Sequence, residues 1–161
     1  MTPDFLIHRL SPAGVSMMNA LLTEFGKAFA EVSTYGDNRP DTTYLQQLLG
    51  SDYFIALAAT IGGDVVGGLV AYELKKFEQP RSEIYIYDLA VSAAQRRLGV
   101  ATALVQELKV IAASRGAYVI FVQADPGDEA AISLYTKLGV REDVLHFDIS
   151  VKGSTVGVYE Y

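Results

Sequence analysis

The chain has 161 residues, half of them hydrophobic, 11% aromatic and 20% charged, which is enough to bury one core and excludes disorder, collagen and coiled coil. Thirteen Lys and Arg against nineteen Asp and Glu leave a net charge of −6, which repels phosphate backbones and argues against nucleic-acid binding. Cysteine is absent, so disulfides, thiolate metal sites and a cysteine nucleophile fall together and no metal is expected.

Asp4, His8 and Arg9 break up the first apolar stretch; no signal peptide or membrane span is expected, and a cytoplasmic location is. Phe5 to Leu10 reads as a short strand. Ser11-Pro12 then opens a helix, with Ser11 as N-cap and Met17, Leu21, Leu22, Phe25 and Phe29 at helical spacing. From Val32 to Asp41 the chain turns polar and reads as a surface loop, before a short helix around Tyr44, Leu45, Leu48 and Leu49. Tyr53 to Thr60 and Val65 to Leu74 are β-rich runs joined at Gly62-Gly63-Asp64, a hairpin signal. Ser82 to Val91 is a third long strand. Arg97 to Ser114 carries the apolar stripe of an amphipathic helix ended by Gly116. Tyr118 to Gln123 reads as a buried, parallel-type strand, Asp128 to Leu138 as a helix closed at Gly139, and Leu145 to Ile149 as a last core strand. The order defines a single α+β domain with an α/β-type mixed sheet over residues 1–150. Residues 151–161 form a tail, either a further strand or a frayed terminus.

The stretch Arg96-Arg97-Leu98-Gly99-Val100-Ala101-Thr102 lies between a strand and a long helix. A helix N-terminus offers unpaired amides and partial positive charge to an anion, and the small Gly99 and Ala101 let a phosphate come close. Arg96 and Arg97 add fork-shaped donors. Ser92 to Gly116 carries a local charge of +3 within a protein of −6. No Walker lysine follows and the dinucleotide glycine spacing is absent. Asp88 is an anomaly of a different kind. Strict alternation puts it on the apolar face of Ile84 and Ile86, where an unpaired carboxylate costs several kcal/mol. It must therefore be paired, protonated, or turned by a bulge into a cleft. Tyr118 to Ser150 holds a net charge of −4, which suits a polycationic ligand or, alternatively, a solvated face in which Asp128 and Glu129 complement a helix dipole.

The loop and helix resemble the acyl-coenzyme A pyrophosphate signature of the GNAT N-acyltransferases. Phe77 to Val91, Gly116 to Ile120, Gln123-Ala124-Asp125, Leu134 to Leu138 and His146 to Ile149 are similar to the GNAT-type aminoglycoside 3-N-acetyltransferases. The resemblance implies a single GNAT domain whose central strands splay, with acetyl-coenzyme A held by Leu89, Ala90, Val91, Arg96, Arg97, Gly99, Val100, Ala101 and Thr102. It implies Asp88 as the acid that meets the reacting amine and Tyr135 as proton donor to the departing thiolate. Glu83, Tyr85, Asp88, Asp125, Asp128 and Glu129 fall on the substrate side. Where those enzymes carry an aromatic residue after Gln-Ala-Asp, this chain has Pro126, which stiffens the loop and removes a donor. The implied reaction moves acetyl to the 3-amino group of a 2-deoxystreptamine ring by direct amine attack, consistent with the missing cysteine and with no serine–histidine elbow. A homodimer is implied as well, and the apolar tail Val156 to Tyr161 offers surface for it. Two rival readings stand beside this one: an acetyltransferase for polyamines or another small amine, and an inactive acyl-coenzyme A binding module.

Overall fold

The computed structural model describes residues 4–152, in two compact units that divide between Gln123 and Ala124. The first holds a five-stranded mixed sheet ordered β1-β2-β3-β4-β5. Its strands are β1 (Leu6–Arg9), β2 (Phe54–Ile61), β3 (Asp64–Lys75), β4 (Ser82–Val91) and β5 (Ala117–Val122). The first four run antiparallel to their neighbours, and β5 is parallel to β4. The helices of this unit are α1 (Val15–Ala28), α2 (Val32–Gly36), α3 (Thr42–Leu49) and α4 (Val100–Ser114). The second unit contains α5 (Glu129–Leu138). Among the described residues no helix is long and apolar enough to cross a membrane.

One sheet face packs against α1 and α3. Met18, Leu21, Phe25, Leu45 and Leu49 meet Phe54, Ala56, Ala58, Val70 and Ala90 in one buried cluster. Directly opposed Ala58, Gly68 and Ala90 form a row of small residues across β2, β3 and β4. A Cβ at Gly68 would stand 2.5 Å from both Leu21 Cδ1 and the Leu57 carbonyl, so glycine is what lets α1 settle on the sheet. The helix α4, with Leu104, Leu108 and Ile111 buried, packs on the sheet without joining that cluster and covers the other face.

At the start of β4 the sheet is fastened by a buried ion pair. Arg115, just past α4, donates to Glu73 from Nε at 2.9 Å and Nη2 at 2.6 Å, and Ser82 Oγ donates to the same carboxylate at 2.6 Å. Arg115 also donates to the Asp52 carbonyl. Burial works against the charge on Glu73, yet the bonds from Arg115 and Ser82 hold its carboxyl below the usual range.

Four expectations need correction. Ser11-Pro12 opens a 3-10 turn (Pro12–Gly14) in which Ser11 makes no side-chain cap, and α1 begins only at Val15. The expected loop from Val32 contains α2, because the Tyr35 ring packs against Phe25 and Phe29 with centroids 6.1 and 5.9 Å away, a tertiary contact that local polarity does not reveal. The strand β5 is parallel as read, but among the described residues it stands at the edge of the sheet, with no fully buried residue. Residues 145–149 form no strand; Leu145, Phe147 and Ile149 are 84%, 78% and 89% exposed, and among the described residues no strand pairs with them as their alternation would require. The apolar tail from Val156 lies outside the described residues.

Gly68→Ala tests the close approach of α1. Because the new methyl group meets backbone as well as a flexible leucine tip, stability in urea should fall by about 1–3 kcal/mol, with the slope of the transition unchanged.

Candidate active site

The site is built on β4. Opposite β3, Ile86 pairs with Ala71 while Asp88 pairs with Val70, so one step along β3 is matched by two along β4 and Tyr87 is the extra residue of a bulge. Before the bulge, Ile84 and Ile86 are buried on the α4 face. Beyond it the facing is inverted. Asp88 shares the face of Val70 and the α1 cluster, half-buried, and accepts a hydrogen bond at 2.8 Å from the Tyr35 hydroxyl of α2. The bulge and the pairing together resolve the anomaly that strict alternation poses.

The same face carries a run of aromatic rings. Phe54 and Tyr72 lie 5.3 Å apart, Tyr72 and Tyr87 5.8 Å, Tyr87 and Tyr85 5.7 Å, and Tyr85 stacks on Phe121 at 4.7 Å and nearly parallel. These rings cross β2, β3, β4 and β5 at successive register positions. Tyr87 is 61% exposed, so the run is open to solvent beside Asp88. Aromatic faces attract cations and the C–H faces of sugar rings. The hydroxyl of Tyr85 donates to Gln123 Oε1 at 2.8 Å. Glu83, nearer the start of β4, is bound by the Tyr118 hydroxyl and by Lys76 at 3.5 Å.

Electrostatics set Asp88 apart. Burial pushes its carboxyl up to about 6, Tyr35 opposes this by hydrogen bonding, and the negative charge of Glu31 adds to it. Burial also raises the Tyr35 hydroxyl, with the bond to Asp88 raising it further. A carboxylate poised near neutrality in an aromatic, half-buried setting is suited to receive and release a proton.

Pairing of β4 with β5 ends at Ile86 and Val122, so Asp88, Leu89, Ala90 and Val91 run on with β3 alone and the central strands splay. A 3-10 turn (Ala93–Gln95) leads to exposed Arg96 and Arg97. Arg97 and Gly99 both adopt left-handed backbone, with φ of 70° and 82°. For Gly99 this costs nothing; for Arg97 it is strain of a kind that concentrates at ligand-binding loops. The helix therefore starts at Val100, three residues later than its apolar stripe suggests, and Gly99 supplies no side-chain cap. The first intrahelical donor is the Ala103 amide to the Gly99 carbonyl at 3.0 Å, so the amides of Val100, Ala101 and Thr102 precede the helical ladder. Uncapped amides, open space around Gly99, no acidic residue in the first turn and two exposed arginines fit a pyrophosphate. Val100 itself is buried, so only its backbone faces a ligand.

The second unit holds the other expected residues. Asp128 is the N-cap of α5 and accepts from the Ala131 amide at 3.1 Å, so its carboxylate is engaged in capping, and Glu129 lies in the first turn. Asp125 lies in the preceding turn, its carbonyl accepting from the Asp128 amide at 3.0 Å. Tyr135 is on α5. Tyr35, Tyr72, Tyr87, Phe54 and Phe121 were not among the expected site residues. A parity count along Tyr85-Ile86-Tyr87-Asp88 could have marked the rings, whereas Tyr35 sits in a segment with no helical signal.

Comparison with known proteins accords with this geometry. The acetyltransferase (GNAT) family model matches residues 16–140, and the chain belongs to that family. An aminoglycoside acetyltransferase from an uncultured soil metagenomic sample, solved by crystallography, is 62% identical, with 92% of this chain and 99% of that one covered and a TM-score of 0.91. A second aminoglycoside acetyltransferase from an uncultured soil metagenomic sample, in complex with sisomicin, is 29% identical over 92% of this chain and 97% of that one, with a TM-score of 0.85. The N-acetyltransferase family 8 member 2 of Rattus norvegicus is 29% identical over 100 residues, covering 62% of this chain. The match spans 44% of that curated relative's length.

The raised carboxyl of Asp88 makes a stability prediction. Its ordinary value of 3.8 rises to about 6 on folding, so its stabilising contribution is present below pH 4 and is lost as pH rises through 6. Asp88→Asn removes the ionisation. Relative to wild type, its stability should increase between pH 4 and pH 8 by roughly 3 kcal/mol, read by denaturant melts at both pH values.

Proposed function

We propose that the protein transfers acetyl from acetyl-coenzyme A to the 3-amino group of the 2-deoxystreptamine ring of aminoglycosides, by direct attack of the amine. One observation carries the reading: a bulge in β4 places a half-buried carboxylate beside an open aromatic surface, at the point where β4 leaves β5. The likeness to aminoglycoside acetyltransferases, 62% identical in one case, supports the acceptor class. The position on the ring rests on the sequence resemblance alone.

The coenzyme supplies an activated acetyl group. Arg96, Arg97 and the amides of Val100, Ala101 and Thr102 would hold its pyrophosphate, and the free edge from Leu89 to Val91 would receive its extended arm as an added strand does. Asp88 binds the acceptor ammonium and takes up its proton, leaving a neutral nucleophile. The Leu89 amide polarises the acetyl carbonyl. Tyr135 delivers a proton to the departing sulfur. Asp125, Asp128 and Glu129 draw in further ammonium groups of a polycationic acceptor, and Glu83 and Tyr85 complete the substrate side. The aromatic run from Tyr72 to Phe121 is suited to ammonium groups and sugar rings, which separates this reading from a polyamine acetyltransferase. A free carboxylate near neutrality is not needed by an inactive acyl-coenzyme A module.

The deciding measurement is coenzyme A release with gentamicin, kanamycin, spermidine and a basic peptide side by side, with product regiochemistry read by NMR. Turnover of the aminoglycosides above the other two is expected. Asp88→Asn should lower it by at least about 10²-fold while acetyl-coenzyme A still raises the thermal midpoint, and Tyr135→Phe should lower kcat by a similar factor. Spermidine as the preferred substrate would move the assignment to the polyamine reading.

We further infer a homodimer. The exposed apolar side chains of Val140, Val144, Leu145, Phe147, Ile149 and Val151 support it. Light scattering should give about twice the 17.5 kDa of the chain; a value near one chain at micromolar concentration refutes it.

A further inference from the structure

Resting on the reading of Asp88 as the acid that meets the acceptor amine, we propose that Tyr35 is its positioning residue: the phenol binds one carboxylate oxygen and leaves the other for the ammonium.

The hydroxyl of Tyr35 donates to Asp88 Oδ2 at 2.8 Å, across 53 residues of chain, so the bond exists only once α2 is docked on the sheet. That docking is firmly built. Gly26 in α1 leaves room for the approach, since a Cβ there would meet the Tyr35 Cβ at 3.2 Å and the Val32 Cα at 3.3 Å. The ring of Tyr35 lies against Phe25 and Phe29. Its carbonyl accepts from Arg39 Nε at 3.1 Å and Nη2 at 2.9 Å, and the same guanidinium reaches the Asn19 carbonyl at 3.3 Å and Thr23 Oγ1 at 3.1 Å. Thus a five-residue helix, which could not hold its own shape in water, is fixed to α1 at both the ring and the backbone of a single residue.

A tyrosine required only for packing would not need this bond, because Phe25 and Phe29 account for its ring. The charge around Asp88 shows what the hydroxyl adds. Glu31, at the start of α2, repels the carboxylate. Tyr72 on β3 and Tyr85 and Tyr87 on β4 bring phenols, not cations. Among the described residues no Lys, Arg or His bonds to Asp88, and its hydrogen-bond donor is Tyr35. The bond favours the charged carboxylate against burial. Tyr35 thus has two consequences for transfer: it selects one rotamer of Asp88, and it keeps the acid ionised at lower pH than burial alone would allow.

The test combines the pH profile of kcat/KM with a ¹³C titration of the Asp88 carboxyl in the intact enzyme, for wild type, Tyr35→Phe and Asp88→Asn. A base must be ionised to act, so the acid limb of the wild-type profile should lie at about 6. Tyr35→Phe keeps the ring and deletes the donor. Both the limb and the carboxyl titration should move up by about one pH unit, so that the loss in rate is large below the limb and shrinks above it. If Tyr35→Phe does not fold, 3-fluorotyrosine placed at position 35 makes a stronger donor and should move both midpoints down. An equal loss at every pH, with the carboxyl titration unmoved, overturns the proposal and leaves Tyr35 a packing residue. A wild-type profile without an acid limb, or full turnover by Asp88→Asn, overturns instead the reading of Asp88, and the carboxyl titration still reports whether Tyr35 holds it.

Discussion

A single extra residue in β4 decides which face of the sheet Asp88 takes. Without Tyr87 in excess, the alternation that buries Ile84 and Ile86 against α4 would bury Asp88 there too. Among the described residues no cation bonds to Asp88 to offset an ionised carboxylate. The bulge reverses the facing of everything after it. Asp88 comes to the side where α2 provides a donor and where the tyrosines of β3 and β4 lie, with Tyr87 exposed. The same break falls where β4 and β5 part, so a polar side chain, an open backbone edge and an aromatic surface coincide within a few residues.

The opposite ends of β4 are treated in contrary ways. Its first residue is held by the buried Glu73–Arg115 pair, which ties β3, β4 and the end of α4 together. Removing Arg115 would leave the buried Glu73 carboxylate without its cation, which destabilises the join. Its last residues have no such tie, and the chain beyond them enters a loop with two left-handed residues and an uncapped helix. The two ends differ in their neighbours as well: β4 is paired on both sides at its start, whereas from Asp88 to Val91 only β3 holds it in register.

The fold was largely legible in the sequence because most of its elements declare themselves locally. The β-rich runs of β2 and β3, the alternation at the start of β4, the Gly62-Gly63 turn and the stripe of α4 need no tertiary information. The small-residue loop before α4 and the misfit of Asp88 were legible too, each as a local contradiction: positive charge beside small residues, and an acid on an apolar face; the helix start itself was read three residues early. What was hidden depends on distant partners. The helix α2 exists because Tyr35 has Phe25, Phe29 and Arg39 to hold it, and its own residues show no period. The alternation of residues 145–149 misled for the converse reason, since an apolar repeat promises a strand only if a neighbour accepts it. The aromatic surface was within reach of a parity count, since Tyr85 and Tyr87 alternate with the buried Ile84 and Ile86 before the bulge shifts the facing at Asp88.

Gly67 and Gly68 constrain how this protein can diversify. A side chain at Gly67 would collide with the Ala90 carbonyl at 2.6 Å, and one at Gly68 with the Leu57 carbonyl at 2.5 Å. Both obstacles are backbone, so no compensating change at another side chain removes them. These two positions of β3 therefore resist any side chain, while Tyr87, whose side chain is 61% exposed, meets no such limit. Exchange of side chains is thus cheap on the open face of β4 and costly on the strand beneath it, so the surface beside Asp88 can be remodelled while the backbone that sets its facing stays put.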